Sequence, residues 1–255
     1  MMLEFWSALT TYELSWLDCL LVLSVMLVAG ISKAGIKGIS IIVVIVMAFV
    51  FGSKASTGIL MPVLVVADVV AVWYYQRHTE WRYLRQLLPW MVVGVLAGVV
   101  VGKDLPEAVF KKWMAGLIFL SVLILFWWEQ RRVKTVPQQW WFAGLIGTIA
   151  GFTTMIGNLA GPFANIFFLA LRLPKNAFIG TAAWMFLLIN LFKLPFHILV
   201  WRTIDTATLS LNLVLLPAVG LGFLLGLRLV SAIREEHYRL LILLLTGLGA
   251  LLLLR

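Results

Sequence analysis

The chain is expected to be an all-α polytopic membrane protein of two inverted repeats, with about 8–10 membrane segments, two of them short broken or re-entrant helices. Three observations predict this. Of its 255 residues 63% are hydrophobic and 12% charged, with a mean hydropathy of +1.04, more apolar surface than a soluble domain of this length can hide. Apolar runs recur from end to end, leaving no room for a separate soluble domain. The second half of the chain also repeats the pattern of the first.

Each half contains five runs. In the first, residues 1–134, they lie near 15–31, 39–52, 57–75, 84–102 and 113–128; in the second, residues 135–255, near 140–156, 162–171, 177–200, 209–230 and 238–254. Most approach the roughly 17–25 residues that cross a bilayer. The second run of each half does not: at 1.5 Å per residue, 39–52 reaches ~20 Å and 162–171 ~15 Å. Such half-length helices are tolerated at membrane depth only when buried in protein or lining a cavity. Pro162 marks a helix start, since proline is favoured at the first helical position. The duplication is visible in one register: Leu87-Leu88-Pro89, Gly94, Leu96, Gly98 and Glu107 recur 128 positions later as Leu215-Leu216-Pro217, Gly222, Leu224, Gly226 and Glu235.

The formal charge of +9 sits in short clusters between apolar runs, as polytopic proteins place their cytoplasmic loops. No basic face is long enough to follow nucleic-acid phosphates. Loops bearing Arg77/Arg82/Arg85, Arg131/Arg132/Lys134, Arg172/Lys175 and Arg228/Arg234/Arg239 fall on one side in a single alternating scheme, which puts both termini outside. The loop with Lys103, Lys111 and Lys112 then lies outside, diluted by Asp104 and Glu107. Residues 1–14 carry Glu4 and Glu13 and no base, which argues against a cleavable signal peptide. An odd number of crossings per half makes the halves inverted. The lone Cys19 excludes an internal disulfide, and no His/Cys/Asp/Glu trio has metal-ligand spacing, so neither metal nor cofactor is expected.

Two stretches break the apolar pattern at matching places. Ala29-Gly30-Ile31-Ser32-Lys33-Ala34-Gly35-Ile36-Lys37-Gly38 precedes the short run of the first half. Ala150-Gly151-Phe152-Thr153-Thr154-Met155-Ile156-Gly157-Asn158-Leu159-Ala160-Gly161-Pro162 leads into that of the second. Paired broken helices are the best sequence pointer to a carrier's binding site.

The order Ala-Gly-Ile-Ser-Lys-Ala-Gly with Gly38, then Met61-Pro62, Asp68, Trp73-Tyr74 and Trp81-Arg82 resembles the TauE/SafE family of sulfite and organosulfonate exporters. Gly151-Phe152-Thr153-Thr154, Gly161-Pro162, Leu173-Pro174-Lys175, Gly180-Thr181 and Asn190-Leu191-Phe192-Lys193-Leu194-Pro195 continue the likeness over nearly the whole chain. The resemblance implies a bacterial inner-membrane permease without cofactor, moving sulfite, sulfoacetate or related acids. Asn158 stands where related sequences often carry histidine, and the first glycine cluster is thinner than is usual.

A helix N-terminus offers unpaired N–H groups and about half a positive charge, and glycine lets an oxyanion approach them. Gly35, Gly38, Gly157 and Gly161 are therefore expected backbone donors, and Ser32, Thr153, Thr154 and Asn158 side-chain donors. Lys33 and Lys37 either line the path or snorkel to the interface. Asp68, mid-run, is costly in a membrane and thus a candidate counter-charge, near Lys193 or Lys33. Asn190 is its approximate repeat counterpart. The competing reading of Asp68 is a permanent ion pair that only fixes packing. His78 and His237 read as solvated or interfacial, as does His197 at a run end. Lys54 and Lys175, before the third run of each half, read as loop or vestibule charges. Trp6, Trp16, Trp73, Trp81, Trp113, Trp127, Trp128, Trp140, Trp141 and Trp201 cluster near run ends as an aromatic belt.

Gly-x-x-x-x-Gly-Lys-Thr/Ser is absent, which argues against ATP as the driving force. The expected activity is export of a small anion by a secondary carrier, its partners that anion and the lipid bilayer, with homo-oligomerisation and proton coupling as further expectations. The alternatives are proton-coupled uptake of a carboxylate or sulfonate, an intramembrane enzyme acting on lipid, and a non-transporting scaffold. The enzyme would require a catalytic partner that Asp68 lacks in the sequence.

Overall fold

The structure, a computed structural model, describes residues 12, 14–130, 140–171, 173–234, 237, 238 and 241. Among these, the regular elements are all helical: α1 (Trp16–Lys33), α2 (Ser40–Phe51), α3 (Ser53–Tyr75), α4 (Trp81–Lys103), α5 (Glu107–Gln130), α6 (Trp140–Gly157), α7 (Ala160–Ala170), α8 (Lys175–Pro195) and α9 (Thr206–Ala232). A 3₁₀ turn extends α3 through His78 and a wide π-type turn extends α8 through Val200. Six of the helices are long and apolar enough to cross a bilayer, and α2 and α7 are short and apolar. The protein is a multi-pass membrane protein. The expected run 238–254, apart from Tyr238 and Leu241, lies outside the described residues, as do Trp6, Glu4, Glu13, residues 131–134, Arg172, Glu235, Glu236 and Arg239.

Two long helix pairs form the walls: α4 lies along α6, and α1 along α9. Lipid gives helices no hydrophobic reason to associate, so close backbone approach over small residues does the work. A Cβ at Gly94 would stand 2.0 Å from the Thr148 carbonyl oxygen, and one at Gly151 2.0 Å from that of Met91. In the other pair, a Cβ at Gly222 would stand 2.0 Å from the Leu27 oxygen, and one at Gly30 2.1 Å from that of Val219. Gly94 and Gly222 are 128 residues apart, as are Met91 and Val219; Thr148 and Leu27 are 121 apart, as are Gly151 and Gly30. Both walls use the same four positions. Replacing Gly222 by alanine is accordingly expected to collapse the yield of monodisperse protein in detergent. At Gly220, two residues away, a methyl would have no neighbour within 4 Å. There the same change should leave the melting temperature unchanged or raise it, since alanine is favoured over glycine in a helix by up to about 1 kcal/mol.

Between the walls stand α3 and α8, which pack on each other and carry the polar residues of the interior. The short helices fold back on their predecessors. Tyr12, before α1, meets Phe51 at the end of α2 with ring centroids 5.4 Å apart, and Phe142, early in α6, stacks on Phe167 near the end of α7 at 6.2 Å. In each pair the outer ends of the two helices therefore lie side by side.

Three expectations change here. Pro162 occupies the third position of α7, which begins at Ala160; its missing N–H is still among those that have no partner in a first turn. Trp201 is no belt residue: it is buried, its Nε1 donates to the Val99 carbonyl at 3.2 Å, and the Lys54 ammonium lies 5.6 Å from its ring. Lys54 and Lys175 are not loop charges either. Lys54 Nζ donates to the Lys103 carbonyl at the end of α4 (2.7 Å), and Lys175 Nζ to the Val230 and Ile233 carbonyls at the end of α9 (3.2 and 2.7 Å). Each caps the carbonyl end of a wall helix, where a cation also complements the dipole. Trp16, Trp73, Trp81, Trp113, Trp140 and Trp141 are exposed at the helix ends.

Candidate functional site

The first break, 34–39, separates α1 from α2. Gly35 and Gly38 hold it with φ of 134° and 103°, values that an L side chain rarely adopts. The second is Asn158-Leu159, between α6 and α7, and turns on a single left-handed residue, Asn158, at φ 55°; asparagine tolerates this better than most residues. Among the described residues neither α2 nor α7 has a side-chain cap at its N-terminus; the Ile42 N–H bonds the Ile39 carbonyl at 3.1 Å, and other first-turn N–H groups remain open at both. The two N-termini meet: a Cβ on Gly161 would lie 3.4 Å from Ser40 Oγ.

Between them is a cavity of about 50 Å³, room for a few waters or one compact ion given that a water needs about 10–15 Å³ on this measure. Of the thirteen residues expected at a site, Ser32, Lys33, Lys37, Gly38, Thr154, Asn158, Gly161 and Asn190 line it. Its apolar wall includes Val43, Val44, Leu60, Leu64 and Phe186. Among the described residues this wall carries two lysines and no carboxylate.

Asp68 is behind the wall and fully enclosed. Lys33 Nζ donates to its Oδ1 at 2.6 Å and Asn190 Nδ2 to its Oδ2 at 2.7 Å, so both carboxylate oxygens are occupied. Of the two partners open from sequence, the ion pair is with Lys33. Lys193 serves the other break: its Nζ donates to Asn158 Oδ1 at 2.7 Å, Thr154 Oγ1 at 3.1 Å and Asn190 Oδ1 at 3.4 Å. Asn190 thus joins two buried cations, one per break, into one network that crosses from α3 to α8. The Lys37 ammonium has no ion pair or hydrogen bond among the described residues; its Nζ lies 5.4 Å and that of Lys33 4.6 Å from the Phe186 ring. Both lysines are buried, so neither snorkels to an interface.

Gly35, Thr153 and Gly157 are off the cavity wall. The Gly35 carbonyl accepts from the Tyr238 hydroxyl at 2.6 Å. Thr153 Oγ1 donates to the Ile149 carbonyl at 2.8 Å, with the Ala150 and Leu159 carbonyls further off at 3.2 and 3.3 Å, so the hydroxyl is turned to its own helix. Gly157 is packed against Leu159 and Met114. His197 is buried rather than interfacial, one turn beyond Lys193, with Nδ1 2.9 Å from Thr203 Oγ1. Ser40, Asn165 and Phe186 line the cavity without having been expected there. For Asn165 a signal existed, since it is the one polar side chain of the run 162–171.

The family model described as Sulfite exporter TauE/SafE matches residues 22–253. The chain belongs to this family. Its membership covers both breaks, both walls and the cavity between them, so the site lies wholly within the part of the chain that defines the family. Comparison with curated proteins and with solved structures gave no match.

Proposed function

We propose that the protein is a secondary carrier that exports a small oxyanion or sulfonate, sulfite being the first candidate, through the cavity between the two breaks. The observation that carries this is the meeting of two uncapped helix N-termini with the Lys37 ammonium on one buried wall, where the other lysine, Lys33, is already paired with Asp68 behind it. Such a wall is positively polarised and shielded from water, conditions under which N–H donors and ammonium groups hold an anion most strongly. The equivalent glycine contacts of the two helix walls support descent from a duplication, and the fold-back of α1–α2 and α6–α7 supports re-entrant hairpins meeting near the membrane midplane from opposite sides. In this reading the halves are inverted, the termini are periplasmic and the membrane is the bacterial inner membrane. Its inside-negative potential favours anion exit by about 2.3 kcal/mol per charge per 100 mV, so export needs no coupling ion.

The test is flux of labelled sulfite, sulfate and sulfoacetate in proteoliposomes under imposed potentials. Anion movement driven by potential alone supports export by this route. Movement that requires an inward proton gradient would establish the uptake alternative instead. Gly161→Leu separates carrier from scaffold: an alanine-sized Cβ meets only Ser40 Oγ, so the larger side chain should fill the cavity. Folding should survive within a few degrees of melting temperature and flux fall more than about tenfold.

A further inference from the structure

Asn165 is 1% exposed, lines the cavity, and its Nδ2 has no hydrogen-bond partner among the described residues. A buried donor without an acceptor carries the full desolvation penalty of the amide, so a native chain retains one only where something outside the resting structure repays it. The local fold does not need the residue. Asparagine is a poor helix former and sits inside α7 rather than at a cap. The position 121 residues earlier, equivalent by the register of the walls, is Val44, which lines the same cavity. An aliphatic side chain thus fills that place in one half, and an amide stands there in the other.

The remaining polar groups of the wall narrow the choice. Lys33 and Asn190 are engaged by Asp68, and Asn158 and Thr154 by Lys193. Among the described residues, Lys37 and the Asn165 amide are the side-chain nitrogens of the wall left without a partner, beside the open backbone N–H groups of the helix starts. Asn165 follows Gly161 by one helical turn, so it shares the face that Gly161 turns to the cavity. Rotation about χ2 aims either end of an amide at a neighbour.

We propose that Asn165 is a direct contact of the transported anion, donating its amide N–H to one oxygen of a compact oxyanion while the Lys37 ammonium holds another. This rests on the cavity being the anion site. It makes Asn165 a specificity residue, since an amide donor favours an ionised oxygen, and exchanging it for a carboxylate replaces donor by acceptor. The cavity is a third of the ~150 Å³ that holds benzene in an engineered protein, so in this conformation the fitting ligand is an ion of a few heavy atoms.

Asn165→Leu and Asn165→Asp test it, read by thermal shift with and without sulfite and by sulfite flux in proteoliposomes. For Asn165→Leu, the anion-free protein is expected to melt at or above the wild-type temperature, because an unsatisfied amide has gone. Its apparent affinity for sulfite should fall about 10- to 100-fold, the worth of one hydrogen bond to a charged oxygen. Asn165→Asp, the same size, should lose sulfite binding further than Asn165→Leu does. A destabilised anion-free Asn165→Leu with wild-type sulfite affinity would mean the amide is structural, and overturns the proposal. Should Asn165→Leu fail to fold, wild-type sulfite affinity in Asn165→Asp overturns it equally. Failure of the transport reading looks different: the wild type itself then shows neither sulfite-induced stabilisation nor flux.

Discussion

Asp68→Ala is expected to destabilise the protein by about 3–5 kcal/mol, the usual result of leaving one member of a buried ion pair without the other. Both carboxylate oxygens are used, by Lys33 and Asn190 at 2.6 and 2.7 Å, and the side chain is fully enclosed. The same argument predicts recovery. The double variant Lys33→Met/Asp68→Leu should regain most of this loss, because well-packed apolar groups of similar volume often match or exceed a buried ion pair, and stay below the wild type by about 1–3 kcal/mol for the Asn190 amide left without its acceptor. Melting temperature in detergent checks both. Flux then separates the two roles of Asp68. A permanent pair that only fixes packing predicts that Asp68→Asn, which keeps the shape and the Lys33 contact, transports with unchanged pH dependence. A proton-sensitive counter-charge predicts that Asp68→Asn transports with the pH dependence gone.

Lys37→Gln should do the reverse, sparing stability and removing transport. The Lys37 ammonium is buried with no anionic or hydrogen-bonded partner among the described residues, so neutralising it removes a desolvated charge and should leave the melting temperature equal or higher. For a bound anion the loss is large. A unit charge at 4 Å is worth about 4 kcal/mol at an effective dielectric near 20, which corresponds to roughly 10²- to 10³-fold in affinity. Titration of the sulfite-induced thermal shift measures it. Wild-type affinity in Lys37→Gln would remove this lysine from the anion's surroundings.

Gly38 differs from Gly161 in what a substitution meets. At φ 103° any side chain is strained by about 1–3 kcal/mol, so loss of flux in Gly38→Ala with a lowered melting temperature reports the break itself. The Gly161 substitution reports the space beside it.

Much of this was legible because bilayers restrict sequence strongly. Run lengths, the two interruptions and the 128-residue echo follow from hydropathy and spacing, and each names backbone that must be helical or must line a cavity. Eight of the thirteen expected site residues share one wall because the breaks that expose them are written in glycine and small polar residues. Thr153 and Gly157 carry the same residue signals, yet one bonds its own helix and the other packs against leucine and methionine. Spacing cannot distinguish a hydroxyl aimed at a cavity from one aimed at the carbonyl four residues back.

By itself the sequence determined an all-helical membrane protein of the TauE/SafE family, its two chain breaks and a buried acid that needs a partner. Those features are properties of segments, and segment composition decides them. Only the tertiary structure decided which lysine meets Asp68, that Lys193 serves the second break, that Lys54 and Lys175 close helix ends, and that Asn165 keeps an unused donor in the cavity. Lys33 and Lys193 lie 35 and 125 residues from Asp68, and either choice would have satisfied its charge. Packing of α1 and α8 around α3 placed one within 2.6 Å and gave the other to Asn158.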